Sequence, residues 1–411
     1  MLNLHQYLLN FTLEELDEVE GKTDYKDIEL DGHPVSVYSN EFWTSKQRQA
    51  SSIHEISYRA CFKPQLPRFF ITILTNPGDL VYDPFSGRGT TPIEASLLGR
   101  RIITNDINPL SEILTKPRLE IPELKKIQDR LDEVDLLQHT VADIDLSMFY
   151  HKKTENELVN LKHYLTSIEK SGDEDECDRW IRMIATNRLT GHSSGFFSVY
   201  TLPPNQATSQ SRQLKINEKR NQTPSYRDVK KLILKKSKSL YRNLLEQEKI
   251  NLRKSRDTAT FLQKDSRDTP EIPNESVNLT ITSPPFLNVV AYDKDNWLRC
   301  WFNSIDVEDM GKKITMLKNI GKWSLFMSEH FKELHRITRP GGWVCFEVGE
   351  VNKGKDNLDE YIVPIGLDVG FTCKGILLNS QQFTKTSNIW GVSNNLVGTN
   401  TNRIVMFQKK E

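Results

Sequence analysis

Cysteine is scarce in this 411-residue chain, and its five cysteines form no CxxC pair. An odd number of cysteines without such a pair indicates neither a disulfide framework nor a zinc site, so we expect no metal. No apolar run approaches the ~18 to 20 residues of a bilayer-spanning helix, and the N-terminus lacks a basic start followed by an apolar stretch. We therefore expect a reduced, cytoplasmic protein without a membrane partner.

Net charge is also absent, because Lys+Arg and Asp+Glu both number 55. This balance excludes a polycationic chromatin-like protein. A composition of 37% hydrophobic and 27% charged residues is that of an ordinary folded protein. At roughly 100 to 200 residues per domain, the length allows two or three domains, or one enzyme core with a large insertion.

The balanced total conceals a strongly basic segment at residues 205–256. This segment has 15 Lys/Arg and four Asp/Glu, a local charge of +11. Residues 1–50 show the opposite bias, with ten acidic and four basic residues. A basic block inside a neutral chain is a candidate phosphate-binding surface, and the alternative is a solvated helix face.

Seven strand-like runs occur in two groups, with a long helical stretch between the groups. Several are continuous apolar or β-branched runs, which are typical of a sheet covered on both faces. Helical patterns lie between most of them, so we predict a doubly wound α/β sheet. The last two strands have no helix pattern between them and should form an antiparallel pair at one edge. The strands are predicted at residues 79–82, 102–105, 259–262, 277–282, 343–348, 371–378 and 403–407.

Residues 120–256 contain no strong strand signal. Leu124, Ile127, Leu131 and Val134 have the spacing of one helix face, and similar stripes recur further along this segment. We interpret it as an inserted helical domain. The predicted organisation is an N-terminal arm at residues 1–53, an α/β domain at 54–119 and 257–411, and the helical insertion at 120–256.

The sequence DPFSGRGTT at residues 83–91 follows a predicted strand and opens a predicted helix. Glycines at such a turn let a ligand approach the backbone, and ligands of doubly wound sheets lie at the carboxyl ends of the strands. The next strand also ends in an acid, Asp106, which could accept both ribose hydroxyls of an adenosine cofactor. Each glycine alone is typical of a plain turn, whereas two such motifs at consecutive strand ends are far more specific.

A second motif, TSPPF at residues 282–286, also follows an apolar strand. Two successive prolines remove two backbone donors and fix φ, which leaves a stiff loop with exposed carbonyl acceptors. Such a loop suits a substrate amino group. The alternative is an edge-strand turn with a buried phenylalanine.

Together these motifs resemble the S-adenosylmethionine-dependent DNA amino-methyltransferases. Further matches are KPQLP at 63–67, Asp265-Ser266, and RPGG at 339–342, so the resemblance covers about 54–119 and 257–411. It implies a seven-stranded Rossmann-like catalytic domain. A serine at the head of the Pro-Pro loop resembles the cytosine-N4 branch, since Asp or Asn is commoner in the adenine-N6 branch. Methyl transfer to the N4 amino group of a flipped cytosine in DNA is therefore the leading hypothesis. The glycine motif precedes the Pro-Pro loop, whereas many cytosine-N4 members have the opposite order, so adenine-N6 transfer is kept as the alternative.

The resemblance also implies roles for individual residues. Asp106 would take the ribose hydroxyls, Asp265 the adenine amino group, and the glycine motif the methionine part of the cofactor. The implied cofactor-binding residues are Lys63, Pro64, Asp83, Pro84, Phe85, Gly87, Gly89, Thr90, Asp106, Asn108, Asp265, Ser266 and Ser283. The implied catalytic residues are Ser283, Pro284, Pro285 and Phe286.

The implied substrate is double-stranded DNA. An amino group paired inside a duplex cannot enter the Pro-Pro loop, so the base must be flipped out while the protein holds the backbone. Residues 187–200 and the basic segment contain the mixture of Arg/Lys, small polar and aromatic residues that binding to a DNA backbone requires. The candidate DNA-binding residues are Arg188, Lys219, Arg220, Arg227, Lys230 and Lys231.

Three other functions remain open from the sequence: DNA adenine-N6 transfer, transfer to an RNA base amino group, and non-catalytic nucleic-acid binding. The complete cofactor and Pro-Pro motifs argue against the last. A restriction-modification context would add a cognate restriction endonuclease as partner. The sequence does not indicate the recognition sequence or the oligomeric state.

Overall fold

The computed structural model describes residues 3–12, 23–43, 50–59, 61–138, 140–202, 207–285, 295–313, 317, 319–351, 356–380 and 401–411. Within these ranges the strands are β1 (Asp24–Leu30), β2 (His33–Asn40), β3 (Leu80–Asp83), β4 (Arg101–Asn105), β5 (Thr260–Leu262), β6 (Val277–Thr282), β7 (Thr338–Val348), β8 (Glu350–Val351), β9 (Asp356–Asn357), β10 (Phe371–Ser380) and β11 (Thr401–Lys409).

Nine strands form one sheet in the order β1-β2-β10-β11-β7-β6-β3-β4-β5, and β8 pairs with β9 separately. Strands β7, β6, β3, β4 and β5 are mutually parallel. Strand β11 is antiparallel to both of its neighbours. The order reverses between β3 and β6, where ligands of doubly wound sheets bind. This is a Rossmann-like α/β fold, as the sequence predicts.

The N-terminal segment corrects two details of the prediction. Strands β1 and β2 add to the seven expected strands, because β2 pairs in parallel with β10 between Val37 and Asn40. This part of residues 1–53 is therefore hydrogen-bonded into the sheet. For the same reason the antiparallel pair β10–β11 lies inside the sheet, and the prediction that it forms an edge is wrong.

Helices connect the strands and cover the sheet. The helices described are α1 (Leu4–Leu9), α2 (Gln65–Leu74), α3 (Thr90–Leu97), α4 (Leu110–Thr115), α5 (Pro117–Glu120), α6 (Leu124–Glu133), α7 (Lys152–Ser171), α8 (Glu176–Arg188), α9 (Gln210–Arg220), α10 (Val229–Tyr241), α11 (Glu246–Arg256), α12 (Trp297–Phe302), α13 (Val307–Lys313), α14 (Ile320–Ile337) and α15 (Asp359–Asp368), with a 3-10 turn at Ser52–His54. None of these helices is both long enough and apolar enough to cross a membrane.

Helix α11, at the end of the predicted insertion, packs beside the sheet. Asn251 Nδ2 donates to the Leu97 carbonyl over 2.9 Å, and the Ser255 and Ser96 hydroxyls are 2.7 Å apart. Because α11 leads directly into β5, it serves as the crossover between β4 and β5. Helices α6 to α10 form the remainder of the helical segment.

Two buried apolar clusters cover opposite faces of the sheet. Along β7, Val344 and Phe346 belong to one cluster and Cys345 to the other, as the alternation of side chains in a strand requires. The cluster that contains Cys345 also includes Trp180 and Ile233 of the helical segment. That segment therefore shares its core with one face of the sheet.

Candidate active site

The glycine turn after β3 is held by a buried carboxylate. Asp83 is 2% exposed, and its Oδ1 accepts hydrogen bonds from the Phe85 amide (3.1 Å) and the Thr282 hydroxyl (2.7 Å). Burial raises the pKa of Asp83 to about 7, although these hydrogen bonds oppose the rise. Asp83 thus ties the turn to the end of β6, where the Pro-Pro loop begins.

Gly89 needs to be a glycine at its position in this turn. Its φ is +76°, and a Cβ there would lie 2.2 Å from the Thr115 hydroxyl oxygen. Gly87 also has positive φ, at +52°, but a Cβ would meet only the Tyr58 ring, at 3.6 Å. Gly89 therefore lets the turn approach α4, whereas Gly87 lies on the side of the turn that lines the pocket described below.

Asp106, at the end of β4, lies next to Gly87. Its Oδ2 accepts from the Gly87 amide over 2.7 Å, and its Oδ1 accepts from the Asn108 amide over 2.9 Å. Burial raises the pKa of this carboxyl to about 6. Two backbone donors fix the carboxylate, and its remaining lone pairs are available to hydroxyl donors of a ligand.

Asp265 and Ser266 follow β5 at the same edge of the sheet. Asp265 forms a bidentate ion pair with Arg267, which lowers the pKa of Asp265. The Ser266 carbonyl accepts a hydrogen bond from His330 Nδ1 over 3.1 Å, and the buried Ser266 hydroxyl has no partner among the described residues. Burial lowers the pKa of His330 to about 4, so this ring is a neutral donor at pH 7.

The Pro-Pro loop begins with Ser283 directly after β6. Its hydroxyl is hydrogen-bonded to the Glu347 carboxylate, which also accepts from the Asn402 side-chain amide. Burial raises the pKa of Glu347 to about 7. The loop is also held at Pro285, whose carbonyl accepts from Trp323 Nε1 over 3.2 Å. Phe286 lies outside the described residues.

These elements meet in one pocket at the carboxyl ends of β3, β4, β5 and β6. Eight of the expected cofactor residues line it: Pro84, Phe85, Gly87, Asp106, Asn108, Asp265, Ser266 and Ser283. Tyr58 forms part of the rim, and Trp323, Phe326 and Met327 of α14 form an apolar wall. An apolar wall facing a carboxylate at a glycine turn fits an adenosine cofactor.

Five of the expected cofactor residues do not line this pocket: Lys63, Pro64, Asp83, Gly89 and Thr90. Asp83 and Gly89 shape the turn, as described above. Thr90 is buried at the start of α3 and accepts from Arg88 Nε. Lys63 and Pro64 lie at the start of α2, where partial burial lowers the pKa of Lys63.

Glu347, Trp323 and His330 were not foreseen from the sequence, although each contacts a motif that was. Only Glu347 carried a signal, since it is an acid inside the apolar run WVCFEV at residues 343–348. The sequence pattern around Trp323 and His330 indicates only the apolar face of a helix, and their contacts with the loops arise from packing.

The six candidate DNA-binding residues lie on different parts of the helical segment. Lys219 and Arg220 are exposed at the end of α9, where Arg220 stacks 3.8 Å from the Tyr200 ring centroid. Lys231 is exposed and pairs with Asp228 at 3.3 Å. Arg227 and Lys230 are half-buried, and Lys230 Nζ donates to the Val134 carbonyl. Arg188 lies at the end of α8 against Phe196.

Comparisons with known proteins find similarity to DNA methyltransferases. A family model described as DNA methylase, of the N6/N4 class, matches residues 10–114. The type II methyltransferase M.MjaII of Methanocaldococcus jannaschii is 31% identical over 97 residues, 23% of this chain and 18% of that protein. M.BsoBI of Geobacillus stearothermophilus is 27% identical over 145 residues, 32% of this chain and 28% of that protein.

A solved S-adenosylmethionine-dependent methyltransferase from Methanosarcina mazei is 9% identical, with a TM-score of 0.32 over 83% of this chain and 97% of that one. The aligned region of this chain spans less than a third of the length of either type II relative. The family match begins at residue 10, so it includes β1 and β2 as well as the glycine turn and Asp106. Residues 10–114 of the chain therefore match the N6/N4 DNA methylase family, and S-adenosylmethionine is the cofactor that the motifs in this stretch predict.

Proposed function

We propose that this protein methylates the exocyclic N4 amino group of a cytosine flipped out of duplex DNA. The observation that carries the proposal is the Ser283–Glu347 hydrogen bond at the mouth of the pocket that contains Asp106. This hydrogen bond orients the Ser283 hydroxyl, so that its oxygen can act as an acceptor beside the cofactor site, at the head of the Pro-Pro loop.

The chemistry requires such an acceptor. A nucleobase amino nitrogen is a poor nucleophile because its lone pair is delocalised into the ring. S-adenosylmethionine supplies, when bound, a methyl group that is already electrophilic on its sulfonium sulfur. The protein must therefore localise the nitrogen lone pair and position the amino group, and positioning alone can remove on the order of 7 to 11 kcal/mol of barrier.

Glu347 determines how Ser283 can serve as that acceptor. When the carboxylate is ionised it can only accept, so the Ser283 hydroxyl donates its hydrogen to Glu347. The lone pairs of Ser283 Oγ are then free to accept one amino hydrogen of the base. We propose the Pro284 carbonyl as the second acceptor and Phe286 as a stacking surface for the base.

The helical segment is proposed to hold the DNA. Val229, Ile233 and Leu240 of the basic segment, and Phe197 of the loop after α8, belong to the apolar cluster that covers one face of the catalytic sheet. Residues 120–256 would then act as the DNA-binding and target-recognition part, and residues 54–119 and 257–411 as the catalytic part. A cognate restriction endonuclease is proposed as a partner because the curated relatives are named type II methyltransferases.

DNA adenine-N6 transfer is the second candidate, because the order of the two motifs in this chain is opposite to that of many cytosine-N4 members. The same pocket could accept the amino group of adenine, because the proposed acceptors, Ser283 Oγ and the Pro284 carbonyl, would contact only the amino hydrogens of the base. Transfer to an RNA base is the third candidate.

Transfer of tritium from methyl-labelled S-adenosylmethionine tests the macromolecular class. Duplex genomic DNA should become labelled, and total RNA should not. Ser283→Ala should lower incorporation strongly, whereas Ser171→Ala, at the exposed end of α7, should leave it unchanged. Label in RNA and none in DNA would overturn the proposal.

A further inference from the structure

Two arginines from different parts of the chain meet beside the pocket. Asn187 Nδ2 and Arg299 Nη2 both donate to the Ser57 carbonyl, each over 3.1 Å. Arg188 Nη2 donates to Asn187 Oδ1 over 2.5 Å. Arg188 from the helical segment and Arg299 from α12 are thus linked through Asn187 and Ser57, next to Tyr58 at the pocket rim.

Arg188 has donors to spare at this position. Its buried Nε–H has no hydrogen-bond partner among the described residues, and no acid there lies within ion-pair distance of it. The nearby Glu55 is already paired with Lys236 at 3.4 Å and with Arg242 at 2.8 Å. Burial, with the like charge of Arg299 nearby, lowers the pKa of Arg188 to about 10, and the attraction of Glu55 only partly opposes this shift.

The second acid near this point is also occupied. Asp295 pairs with Arg59 at 2.5 Å and accepts the Ala207 amide through its carbonyl. Neither Glu55 nor Asp295 therefore forms an ion pair with Arg188. A buried donor without a partner is rare in folded proteins, and an unobserved ligand is one explanation for it.

The position of Arg188 is fixed before any ligand binds. Its guanidinium carbon lies 4.0 Å from the centroid of the Phe196 ring. The loop is built to place that ring there, because a Cβ on Gly191 would lie 2.4 Å from Phe196 ring atoms. A guanidinium stacked on an aromatic face keeps its N–H groups directed in one plane, so little entropy is lost on binding.

We propose that Arg188, with the positive charge of the buried Arg299 beside it, forms a phosphate-binding site for the nucleotide whose base enters the pocket; Arg299 itself donates to Asn296 and Ser57. Guanidinium groups bind phosphate oxygens through parallel, charge-assisted hydrogen bonds, and two of them at one point favour a phosphate over a carboxylate or a neutral group. The site would anchor the backbone of the flipped nucleotide at the junction of the helical segment and the catalytic sheet. This inference rests on the proposed function for the identity of the nucleotide.

Free nucleotides test the site without any methyl transfer. We would measure the binding of dCMP, deoxycytidine and dAMP to the full chain saturated with S-adenosylhomocysteine, by equilibrium dialysis. The wild type should bind dCMP about 10-fold to 100-fold more tightly than deoxycytidine, because charge-assisted hydrogen bonds contribute that much. Inorganic phosphate should compete with dCMP.

Variants identify the residues responsible. Arg188→Gln should remove most of the preference for dCMP over deoxycytidine, and Arg188→Lys should retain part of it. Arg212→Gln, an exposed arginine of α9, is the matched control and should keep the full preference. The dCMP/deoxycytidine comparison in the wild type needs no variant, so the test stands even where Arg188→Gln does not fold.

Two results would overturn the inference: wild type that binds dCMP no more tightly than deoxycytidine, or a folded Arg188→Gln with an undiminished preference. With deoxyadenosine measured as well, an equal preference for dAMP over deoxyadenosine would support a site that recognises the phosphate. The protein could fail to methylate DNA and still show a preference for dCMP that depends on Arg188. That result would refute the proposed function, and the inferred phosphate site would still be supported.

Discussion

The Ser283 hydroxyl is hydrogen-bonded to the carboxylate of Glu347, which is only 8% exposed. Ser283 directly follows β6 and Glu347 lies in the neighbouring parallel strand β7, and the register that sets Thr282 opposite Phe346 brings them together. A second hydrogen bond, donated by Asn402 of β11, holds the same carboxylate. The head of the Pro-Pro loop is therefore oriented by the sheet itself.

Glu347→Gln should slow methyl transfer about 10-fold to 100-fold, the size of a hydrogen bond to a charged group, and should remove a pH dependence. The pKa of Glu347 is about 7, and the ionised form is the one that accepts from Ser283. The wild-type rate should therefore rise with pH up to about 7 and level off above it. Single-turnover rates between pH 5.5 and 9 measure this profile.

Asp83 also has a raised pKa of about 7, and it provides the control for this pH profile. Asp83→Asn should keep the rise with pH, because its side chain ties the glycine turn to β6 and lies outside the pocket lining. Saturating S-adenosylmethionine separates this profile from the titration of Asp106, whose pKa is about 6. Cys61, also nearby, has its pKa raised by burial and stays a neutral thiol. An unchanged pH profile in Glu347→Gln would contradict the role given to Glu347.

Asp106→Asn should weaken S-adenosylmethionine binding at least about tenfold, since a hydrogen bond to a charged group contributes ~1.5 to 3 kcal/mol. Asp106→Ala should weaken it further and also leave the Gly87 and Asn108 amides without their acceptor. In the wild type, affinity should fall as pH drops below about 6, because protonation removes the acceptor that hydroxyl donors need. Calorimetric titration measures each effect, and unchanged affinity in a folded variant would remove Asp106 from the site.

Gly89→Ala should cost about 2 to 4 kcal/mol of unfolding free energy, through positive φ and the clash with Thr115. Gly87→Ala should cost less, about 1 kcal/mol, because its Cβ would meet only the Tyr58 ring at van der Waals distance. Urea unfolding compares the two. Equal losses of stability would show that the crowding at Thr115 does not set the requirement for glycine.

The sequence predicted the parts of the fold and site that depend on local pattern. Apolar runs located all seven core strands, and the acids and glycines at consecutive strand ends located the pocket, because the carboxyl ends of parallel strands share one edge. Strands β1 and β2 were missed although Val35 and Val37 alternate with exposed or half-buried residues. Their place depends on pairing with β10, more than 300 residues away, which no local pattern reports.

The interactions of Glu347 and Arg188 could not be predicted for a related reason. Glu347 reaches Ser283 only through the register of β6 and β7. Arg188 reaches Arg299 only because α8 ends beside the segment at Ser57. Both are tertiary relationships between residues far apart in the sequence.

Reversing the charge of Lys219, Arg220 and Lys231 together should flatten the salt dependence of DNA binding. Each phosphate that the protein no longer neutralises lowers the slope of log affinity against log salt by ~0.9 for duplex DNA. These three are chosen because they are exposed, whereas Lys230 donates to a backbone carbonyl. Lys254→Glu, on the exposed side of α11, is the control. A slope unchanged by the triple variant would assign these residues to a solvated face.

Mass spectrometry of nucleosides from duplex DNA modified by the purified protein tests the central claim most directly. The proposed chemistry at Ser283 and Glu347 predicts N4-methyldeoxycytidine, present with the wild type and strongly reduced with Ser283→Ala. N6-methyldeoxyadenosine in its place would contradict the cytosine assignment and leave amino-methyl transfer intact. DNA without any methylated amino group, from a folded protein that binds S-adenosylmethionine, would contradict the proposed function as a whole.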